Sequence, residues 1–509
     1  MKTIKSKLFI FVFMILLVIS MAGCKNENAG KIEIVLDGGG VSGNYNSSIS
    51  MIPSPANPYP YNTLEKLVED WNETQSDYYI KLNRHSMNGN RDAIVGYLST
   101  ETGPDIIYQT GTTIAEDLGS DYYVDMTDRL EEPNKYIEGN VRWADIYDPQ
   151  ELEATRAPDG SIYSIGIDRN VAGLAFNKKI LTAAGVDFEI ETYGDFIRAL
   201  SLIEDYSDSN GLDIIPFLAI DDWYNIVLEG NLYGDTMDKI DVIRENGVLD
   251  TEELARASSK GLYKIMDGAN VDDRFSAYLQ LIQRISDFYP ANMEGYTVIN
   301  EFIQGNVAII SSLGRDIIRA ERDETRQDSF EMDVTGFPYL TNDDIRDHTT
   351  FKDNEVTIAE KGVRRGVSGI GTGWWITNSA MKKGTVEACV DFLQFITAPQ
   401  NNGRMINDLG FTLPLDIIAN GSGVNELYEP IVEQYNNDVE EDFYVWHIYN
   451  TWGIMGFNYW SKFVTEIRNL YNGQDILTTA ENLNGTFLSS VSNLIEDNGN
   501  SGAWDIDNW

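Results

Sequence analysis

The chain has 509 residues and a formal net charge of −42, with 80 acidic against 38 basic residues. This excess of negative charge excludes nucleic acid as a partner, because the phosphate groups would be repelled, and it favours a neutral or cationic ligand. The length exceeds what one hydrophobic core usually serves, so two lobes are predicted.

The N-terminus has the pattern of an export signal. Lys2, Lys5 and Lys7 precede an apolar run of 12 residues at positions 8–19. This run is shorter than the roughly 20 residues that span a bilayer, so residues 1–23 are predicted to be a signal peptide. Their removal takes away three lysines and no acids, which lowers the charge from −42 to about −45. The mature chain is predicted to be exported and soluble.

Cys24 ends a Met-Ala-Gly-Cys sequence that resembles the lipobox of bacterial lipoproteins. In that motif the cysteine is lipidated and becomes the new N-terminus. The resemblance implies at least a diacylglyceryl group, and stable anchoring needs more than one acyl chain. We therefore expect residues 24–30 to be a lipidated linker that holds the protein on the outer face of the cell membrane.

The only other cysteine is Cys389, so no disulfide within the chain is expected once Cys24 is lipidated. Cys389 shares an apolar stripe of helical spacing with Val386, Leu393 and Ile396. A cysteine in such a stripe is predicted to be a buried small hydrophobe rather than a nucleophile.

Alternating apolar residues predict a first strand at 32–36. The glycine-rich residues 38–43 that follow match the form of the G-x-G-x-x-G dinucleotide fingerprint. That fingerprint requires a helix to begin at its last glycine, whereas residues 44–50 are polar and four prolines follow. We therefore expect no nucleotide here, but a loop at the carboxyl end of a strand, where open α/β sheets bind ligands.

Helices and strands alternate in the next segment. Apolar spacing predicts a helix over 64–71, a strand over 78–82, a helix over 92–98 and a strand over 103–108 that leads into Gln109. This alternation predicts an α/β lobe with a largely parallel sheet.

Short motifs continue along the chain in a recognisable order. They are Gly103-Pro104-Asp105-Ile106, residues 165–178 ending in Phe176-Asn177-Lys178, Ala184-Gly185-Val186, residues 192–196, FIQGNVAII at 302–310, Gly336-Phe337-Pro338, Thr397-Ala398-Pro399-Gln400 and residues 410–414. Together with the lipobox, this order resembles the extracellular solute-binding proteins of bacterial ABC importers, the family that includes maltose-binding protein. No single motif is specific, so the resemblance rests on their order over nearly the whole mature chain.

One of these motifs also has a direct physical reading. Thr192, with Asp195 three residues later, can cap a helix that contains Phe196, Leu200 and Ile203. These residues are predicted to be structural.

The resemblance implies an α/β protein with the two-lobed fold of type II periplasmic binding proteins, in which the ligand cleft lies between the lobes. Several strands cross between the lobes and form the hinge. Crossings are expected near 166–172, near 306–311 and near 366–375. The N-terminal lobe would comprise 31–168 with 311–368, and the C-terminal lobe 169–310 with 369–509.

No metal or other cofactor is expected. Some large relatives carry a calcium loop before the strand that here ends at Pro216. Aligning Gly211 with the sixth loop position puts Tyr206 at the first and Phe217 at the twelfth, where carboxylates are needed. The three histidines, His85, His348 and His447, are scattered and predict no zinc site.

A sugar needs aromatic rings for its apolar faces and polar side chains for its hydroxyl rim. Residues 443–460 are the densest aromatic stretch of the chain. Its last residue, Trp460, opens a predicted helix thirteen residues before Gly473, the spacing at which the maltose-binding relative has a sugar-stacking tryptophan. Trp460 is therefore predicted to contact ligand, although with Phe463 and Ile467 it also forms a helical core stripe.

Three further residues lie at predicted strand ends. Trp223 follows a strand in a region where relatives place an aromatic ligand contact, with Tyr224 as its rival. Trp374 lies at the last crossing and either contacts ligand or packs in the hinge with Trp375. Gln109 replaces a ligand-facing tryptophan of a relative, which suggests a contact to a sugar hydroxyl.

The remaining candidates are charged crossing residues and rings of the aromatic stretch. Asp168 and Arg169 lie at the first crossing, and Arg315 follows a predicted strand; all three either bind sugar hydroxyls or form a hinge ion-pair network. Trp446 and Tyr449 are additional candidate ligand contacts, for which core packing is the favoured alternative.

The resemblance implies a monomeric, lipid-anchored receptor that closes on a carbohydrate, most simply an oligosaccharide, and delivers it to the permease of an ABC transporter. One alternative is the same fold binding a peptide or another solute, or presenting its ligand to a sensor. A remote alternative is a secreted glycoside hydrolase that uses Asp221 with Asp222 or Glu440 with Glu441. Adjacency in sequence does not set the separation of a catalytic pair, so no enzyme activity is expected.

Overall fold

The computed structural model describes most of the chain beyond the N-terminal segment. The residues described are 28, 30–39, 62–83, 90–110, 114–168, 170–219, 223–290, 296–313, 317, 320–321, 323, 325–327, 330–352, 355–358, 367–370, 372–409 and 456–509. Among them, no helix is both long enough and apolar enough to cross a membrane.

The first sheet combines strands from two distant parts of the chain. Its strands are β1 (Ile32–Leu36), β2 (Tyr78–Leu82), β3 (Ile106–Thr110), β4 (Ser164–Gly166) and β12 (Thr372–Ile376). They lie in the order β2-β1-β3-β12-β4, in which β1 runs parallel to β2 and β3 and β12 runs antiparallel to β3 and β4.

The second sheet takes its strands from the intervening part of the chain. They are β5 (Asn170–Asn177), β6 (Ile215–Ala219), β9 (Val307–Leu313), β10 (Met332–Thr335) and β11 (Val367–Gly369). The order is β10-β5-β9-β6, and β11 pairs with the start of β5. β6 runs parallel to β9, whereas β5 is antiparallel to β9, β10 and β11. A small hairpin joins β7 (Met266–Asp267) to β8 (Asn270–Val271).

Helices cover both sheets. In chain order they are α1 (Thr63–Thr74), α2 (Arg91–Thr100), α3 (Ile114–Asp117), α4 (Thr127–Leu130), α5 (Pro149–Glu153), α6 (Lys178–Ala184), α7 (Tyr193–Asn210), α8 (Trp223–Tyr233), α9 (Met237–Ile240), α10 (Thr251–Ser259), α11 (Asp273–Ser286), α12 (Val298–Ile303), α13 (Asn342–His348), α14 (Asn378–Lys383), α15 (Val386–Thr397), α16 (Pro399–Leu409), α17 (Phe457–Tyr471) and α18 (Ile476–Ser501). Short 3-10 turns lie at Trp143–Ile146, Gly234–Thr236 and Ile506–Asn508.

The two largest hydrophobic clusters of the described residues lie on different sheets, in agreement with the predicted two-lobed α/β fold. The first packs α1, α15 and α16 on the first sheet around Trp71, Trp374 and Phe392. The second packs α7, α8, α11, α17 and α18 around the second sheet. Each sheet thus has its own buried layer, as expected when amphipathic helices cover an α/β sheet.

Local sequence accounts for several element boundaries. The predicted capping box at Thr192 and Asp195 is present, because the Thr192 hydroxyl accepts from the Asp195 amide and the Asp195 carboxylate accepts from the Thr192 amide. Cys389 lies fully buried in α15, as predicted, and burial raises the pKa of its thiol far above its usual value. Gly39 has φ +54°, and a Cβ there would lie 2.1 Å from Tyr108 Cδ1, so close approach explains this glycine.

The chain crosses between the sheets at two described places. One runs from β4 to β5 and the other from β11 to β12. The two crossings lie against each other, since a Cβ on Gly166 would come within 2.3 Å of Ile370 Cγ2. Both correspond to predicted crossings.

The predicted crossing near 306–311 is wrong. Residues Val307–Leu313 form one continuous strand, β9, which pairs with β5 and β6 of the same sheet. The next strand, β10, therefore belongs to the second sheet, and β12 belongs to the first. This pairing contradicts the predicted placement of 311–368 in the N-terminal lobe and of the strand at 372–376 in the C-terminal lobe.

Candidate functional site

The edge of the second sheet next to the crossings is formed by strand ends. β9 is antiparallel to β5, so its last residue, Leu313, lies opposite Ala172 near the start of β5. β6 is parallel to β9 and ends at the same edge, with Ala219 opposite Ser311. Carboxyl ends of parallel strands are where open α/β sheets bind ligands. The geometry therefore favours this edge as the second lobe's contribution to a site.

A small cavity of about 10 Å³ lies at this edge. It is lined by Phe217 and Ala219 of β6, Tyr224 and Asn225 of α8, Ile282 and Ile285 of α11, Tyr289, Ser311 of β9 and Tyr471 of α17. This volume has room for about one water molecule. Residues from five elements and one loop thus converge on a single hollow at the carboxyl ends of β6 and β9.

Aromatic rings form much of the cavity wall. Phe217 stacks on Tyr289 with ring centroids 5.5 Å apart, and Tyr289 meets Tyr471 edge to face at 5.1 Å. Tyr224 stacks on Phe337 at 5.3 Å with an angle of 11° between the rings. Such pairs are favoured by the quadrupole of the rings and hold them in place.

Polar groups complete the lining. The Asn225 Nδ2 donates to the Tyr471 hydroxyl at 3.1 Å. The Ser311 hydroxyl is fully buried and has no hydrogen-bond partner among the described residues. Ala219, Tyr289 and Tyr471 are half-buried, whereas the other lining residues are buried. Fixed rings beside amide and hydroxyl groups can hold both an apolar face and a hydroxyl group.

Trp223 lies in the first turn of α8, directly before two residues that line the cavity. Its side chain is only 9% exposed and belongs to the second core. Its rival Tyr224 lines the cavity itself. The structure therefore brings Tyr224, rather than Trp223, into this hollow.

Trp460 lies in the second turn of α17. The helix begins at Phe457, three residues before the predicted start, and ends before Gly473 as predicted. Its buried stripe comprises Tyr459, Phe463, Ile467 and Leu470. Trp460 flanks this stripe and packs against it only in part, so one portion of its surface remains accessible.

Trp374 belongs to the first core, which agrees with the packing alternative. It is fully buried, its Nε1 donates to the Asp37 carbonyl at 3.0 Å, and its ring meets Tyr108 edge to face at 6.4 Å. The neighbouring Trp375 is also buried and donates to the Gln109 carbonyl. Both rings therefore pack inside the first lobe, and neither presents a surface to a ligand.

Gln109 lies near the end of β3 and is 3% exposed. Its Nε2 donates to the Tyr123 hydroxyl at 2.9 Å, and that hydroxyl donates to Asp117 at 2.9 Å. Arg91 pairs with the same carboxylate through both terminal nitrogens. Burial and the Asp117 charge raise the pKa of Tyr123 well above its usual value, so the phenol stays protonated and keeps this donor chain. The amide nitrogen of Gln109 is thus engaged within the first lobe.

Of the other predicted ligand-binding residues, the structure describes one, Asp168, and leaves four outside the described residues. Asp168 is 3% exposed and lies in the crossing between β4 and β5. The preceding carbonyl, of Ile167, accepts from Asn402 Nδ2 at 2.5 Å, which ties α16 to the crossing. The remaining candidates, Arg169, Arg315, Trp446 and Tyr449, lie outside the described residues, as does Cys24.

Sequence reasoning missed most of the cavity. Tyr471 and Tyr289 stand at the ends of apolar helical patterns and resemble core residues, whereas Ser311 lies inside a strand. Asn225 could have been found, since it directly follows the candidate pair Trp223–Tyr224 in the sequence. In the described parts of the chain, no group of three or more His, Cys, Asp or Glu residues is arranged to hold a metal ion.

Comparisons with known proteins agree with this architecture. Residues 66–421 match the sequence profile of the bacterial extracellular solute-binding proteins. No curated protein sequence matches the chain. A family 1 extracellular solute-binding protein from Bifidobacterium longum subsp. infantis superposes with a TM-score of 0.58 at 16% identity, over 90% of this chain and 100% of that one.

Two further structures are similar to the same extent. The cyclic α-maltosyl-1,6-maltose binding protein from Arthrobacter globiformis has a TM-score of 0.57 at 15% identity, over 91% of this chain and 100% of that one. The GacH receptor of Streptomyces glaucescens has a TM-score of 0.58 at 14% identity, over 90% and 98%. These likenesses show the shared fold, and the profile covers more than half of the sequence. The chain therefore belongs to the bacterial extracellular solute-binding proteins.

Proposed function

We propose that this protein captures a carbohydrate, most simply an oligosaccharide, between its two lobes and delivers it to the permease of an ABC importer. The observation that supports this most is the ring-lined cavity with Asn225 and Ser311 at the carboxyl edge of the second sheet. Sugars need aromatic rings for their C–H faces and hydrogen-bonding groups for their hydroxyls, and both kinds of side chain lie around this cavity.

Named relatives of the same fold support the sugar class. Their descriptions include a chitin oligosaccharide binding protein, a protein in complex with raffinose and a cyclic maltosyl-maltose binding protein. Their low identity transfers no particular sugar to this chain. The ligand class is therefore proposed from the chemistry of the site, with these relatives in agreement.

The proposed mechanism is closure of the lobes on the ligand. In this proposal the first lobe comprises 31–167 with 372–409, and the second comprises 170–369 with 456–509, joined at the crossings. The ligand shifts the protein toward the closed arrangement because it binds that arrangement more tightly than the open one. The size of the shift equals this difference in binding free energy. Trp460, partly accessible beside the core stripe of α17, is the proposed stacking ring, and Trp223, Gln109 and Asp168 position the residues that surround the ligand.

We further propose that Cys24 carries the lipid anchor and that the mature protein works as a monomer on the outer face of the membrane. The lipobox-like sequence supports the anchor. Two or more acyl chains would give a stable hold on the bilayer. Mass spectrometry of the membrane-extracted protein should find a diacylglyceryl cysteine at the N-terminus, and an unmodified chain that begins elsewhere would contradict the anchor.

Thermal unfolding with a glycan panel tests the ligand class. A ligand that binds the folded state at a concentration of 100 Kd stabilises it by about 2.7 kcal/mol, which raises Tm measurably. We expect at least one neutral oligosaccharide to raise Tm, with no cleavage of that oligosaccharide on incubation. A rise with amino acids or peptides and none with any glycan would overturn the carbohydrate assignment, and cleavage would favour a hydrolase.

A further inference from the structure

The cavity at the carboxyl ends of β6 and β9 is too small for a sugar ring. Its volume of about 10 Å³ holds one water-sized group. If a sugar lies at this edge, as the proposed function requires, its ring must stay outside this cavity. Only a substituent of the ring can enter.

The deep part of the cavity favours a substituent that ends in a hydroxyl. The Ser311 hydroxyl is fully buried, lines the cavity and has no hydrogen-bond partner among the described residues. A buried polar group without a partner is costly, so a ligand hydroxyl that pairs with it gains more than a methyl group would. Phe217, Ile282 and Ile285 supply apolar walls for the carbon that carries such a hydroxyl.

We infer that this cavity is a subsite for the exocyclic hydroxymethyl group of a hexose, with Ser311 as its specificity-determining residue. The inference rests on the proposed carbohydrate function and narrows the ligand to hexose-containing sugars. A pentose lacks the exocyclic carbon and leaves Ser311 without a partner.

The neighbouring Ser312 offers a matched control. Both serines are fully buried in β9 and neither hydroxyl has a partner among the described residues. Successive side chains of a strand point to opposite faces of the sheet, and only Ser311 lines the cavity. Ser311→Ala and Ser312→Ala therefore remove the same group from the same strand, one inside the cavity and one on the other face.

The experiment measures Kd by calorimetry for sugar pairs that differ only in the exocyclic carbon. The probes are cellotriose against xylotriose, D-glucose against D-xylose and D-galactose against L-arabinose, together with every glycan that raises the Tm of the wild type. We expect hexose sugars to bind at least about tenfold more tightly than their pentose counterparts. Loss of one neutral hydrogen bond in Ser311→Ala should weaken hexose binding by about three- to tenfold, while Ser312→Ala leaves Kd within about twofold.

Two results separate the inference from the proposed function. If a pentose binds as tightly as its hexose counterpart, or if Ser311→Ala binds the best glycan as well as Ser312→Ala does, the subsite is wrong while carbohydrate capture stands. If no glycan binds the wild type, the proposed function fails and the subsite fails with it. Melting curves of both variants show that each is folded before its Kd is compared.

Discussion

The carboxylate of Asp105 joins three parts of the first lobe, so Asp105→Ala should destabilise that lobe strongly. The side chain is fully buried. Its Oδ2 accepts from the Val35 amide at 2.8 Å and from Lys383 Nζ at 2.8 Å, and its Oδ1 accepts from the Thr385 hydroxyl at 3.1 Å. β1 and the junction between α14 and α15 are thereby held on the start of β3.

The magnitude follows from what each partner loses. Removing one member of a buried ion pair costs about 3–5 kcal/mol. The side chain of Lys383 is 40% exposed, so its ammonium group can regain water, and this places the cost near the lower end. The Thr385 hydroxyl is fully buried and keeps no such access. We therefore expect the free energy of unfolding to fall by about 3 kcal/mol.

Urea unfolding followed by far-UV circular dichroism measures this change. The adjacent Lys382 provides the control, because its 2.8 Å ion pair with Glu101 has side chains 57% and 48% exposed. Lys382→Ala should cost less than about 1 kcal/mol. An Asp105→Ala variant whose stability lies within about 1 kcal/mol of the wild type would refute the argument that this carboxylate organises the lobe.

Three other predictions concern the second lobe. Trp460→Ala should weaken binding of the captured sugar by about tenfold or more with little change in Tm. A fall in Tm with unchanged Kd would instead show that Trp460 is a core residue. Burial and the neighbouring Asp250 raise the pKa of Glu253 to about 8 from its usual 4.5. Between these two pKa values the folded state therefore binds more protons than the unfolded state, and the free energy of unfolding should fall by at least about 1 kcal/mol as the pH rises from 5 to 8. In urea titrations, Glu253→Gln should not show this decrease with pH. An equal decrease in the variant would assign it to another group. Gly485 lies inside α18, and a Cβ added there would meet no neighbouring atom within 4 Å. Gly485→Ala should therefore raise the free energy of unfolding by about 0.5–1 kcal/mol in the same titration. A loss of stability would mean that the helix is not continuous there.

Local sequence does not predict which lobe a strand belongs to. Residues 302–310 carry the pattern of a helix end followed by a buried strand, and that pattern is the same whether the strand crosses between lobes or stays within one. Pairing of β9 with β5 and β6 settled the question. Because β9 stays in the second sheet, β10 joins that sheet and β12 joins the first, opposite to the predicted lobes.

The tryptophan pair shows a second limit. In a strand, Trp374 and Trp375 point to opposite faces, so sequence alone suggests that one ring is inside and the other is available. In the structure Trp374 packs in the first core and Trp375 packs in a separate cluster with Ile107 and Tyr123. Both faces of the first sheet are covered by hydrophobic clusters, so both rings are buried.

Amino-acid sequence alone was enough to predict the order of most helices and strands, the burial of Cys389 and the capping box at Thr192. Each of these depends on neighbours within a few residues or on one helical or strand period. The tertiary structure decided which sheet each strand joins and which side chains meet at the cavity. Phe217, Tyr289, Ser311 and Tyr471 come from distant parts of the chain, and only the packing of α11 and α17 on the second sheet brings them within reach of one substituent.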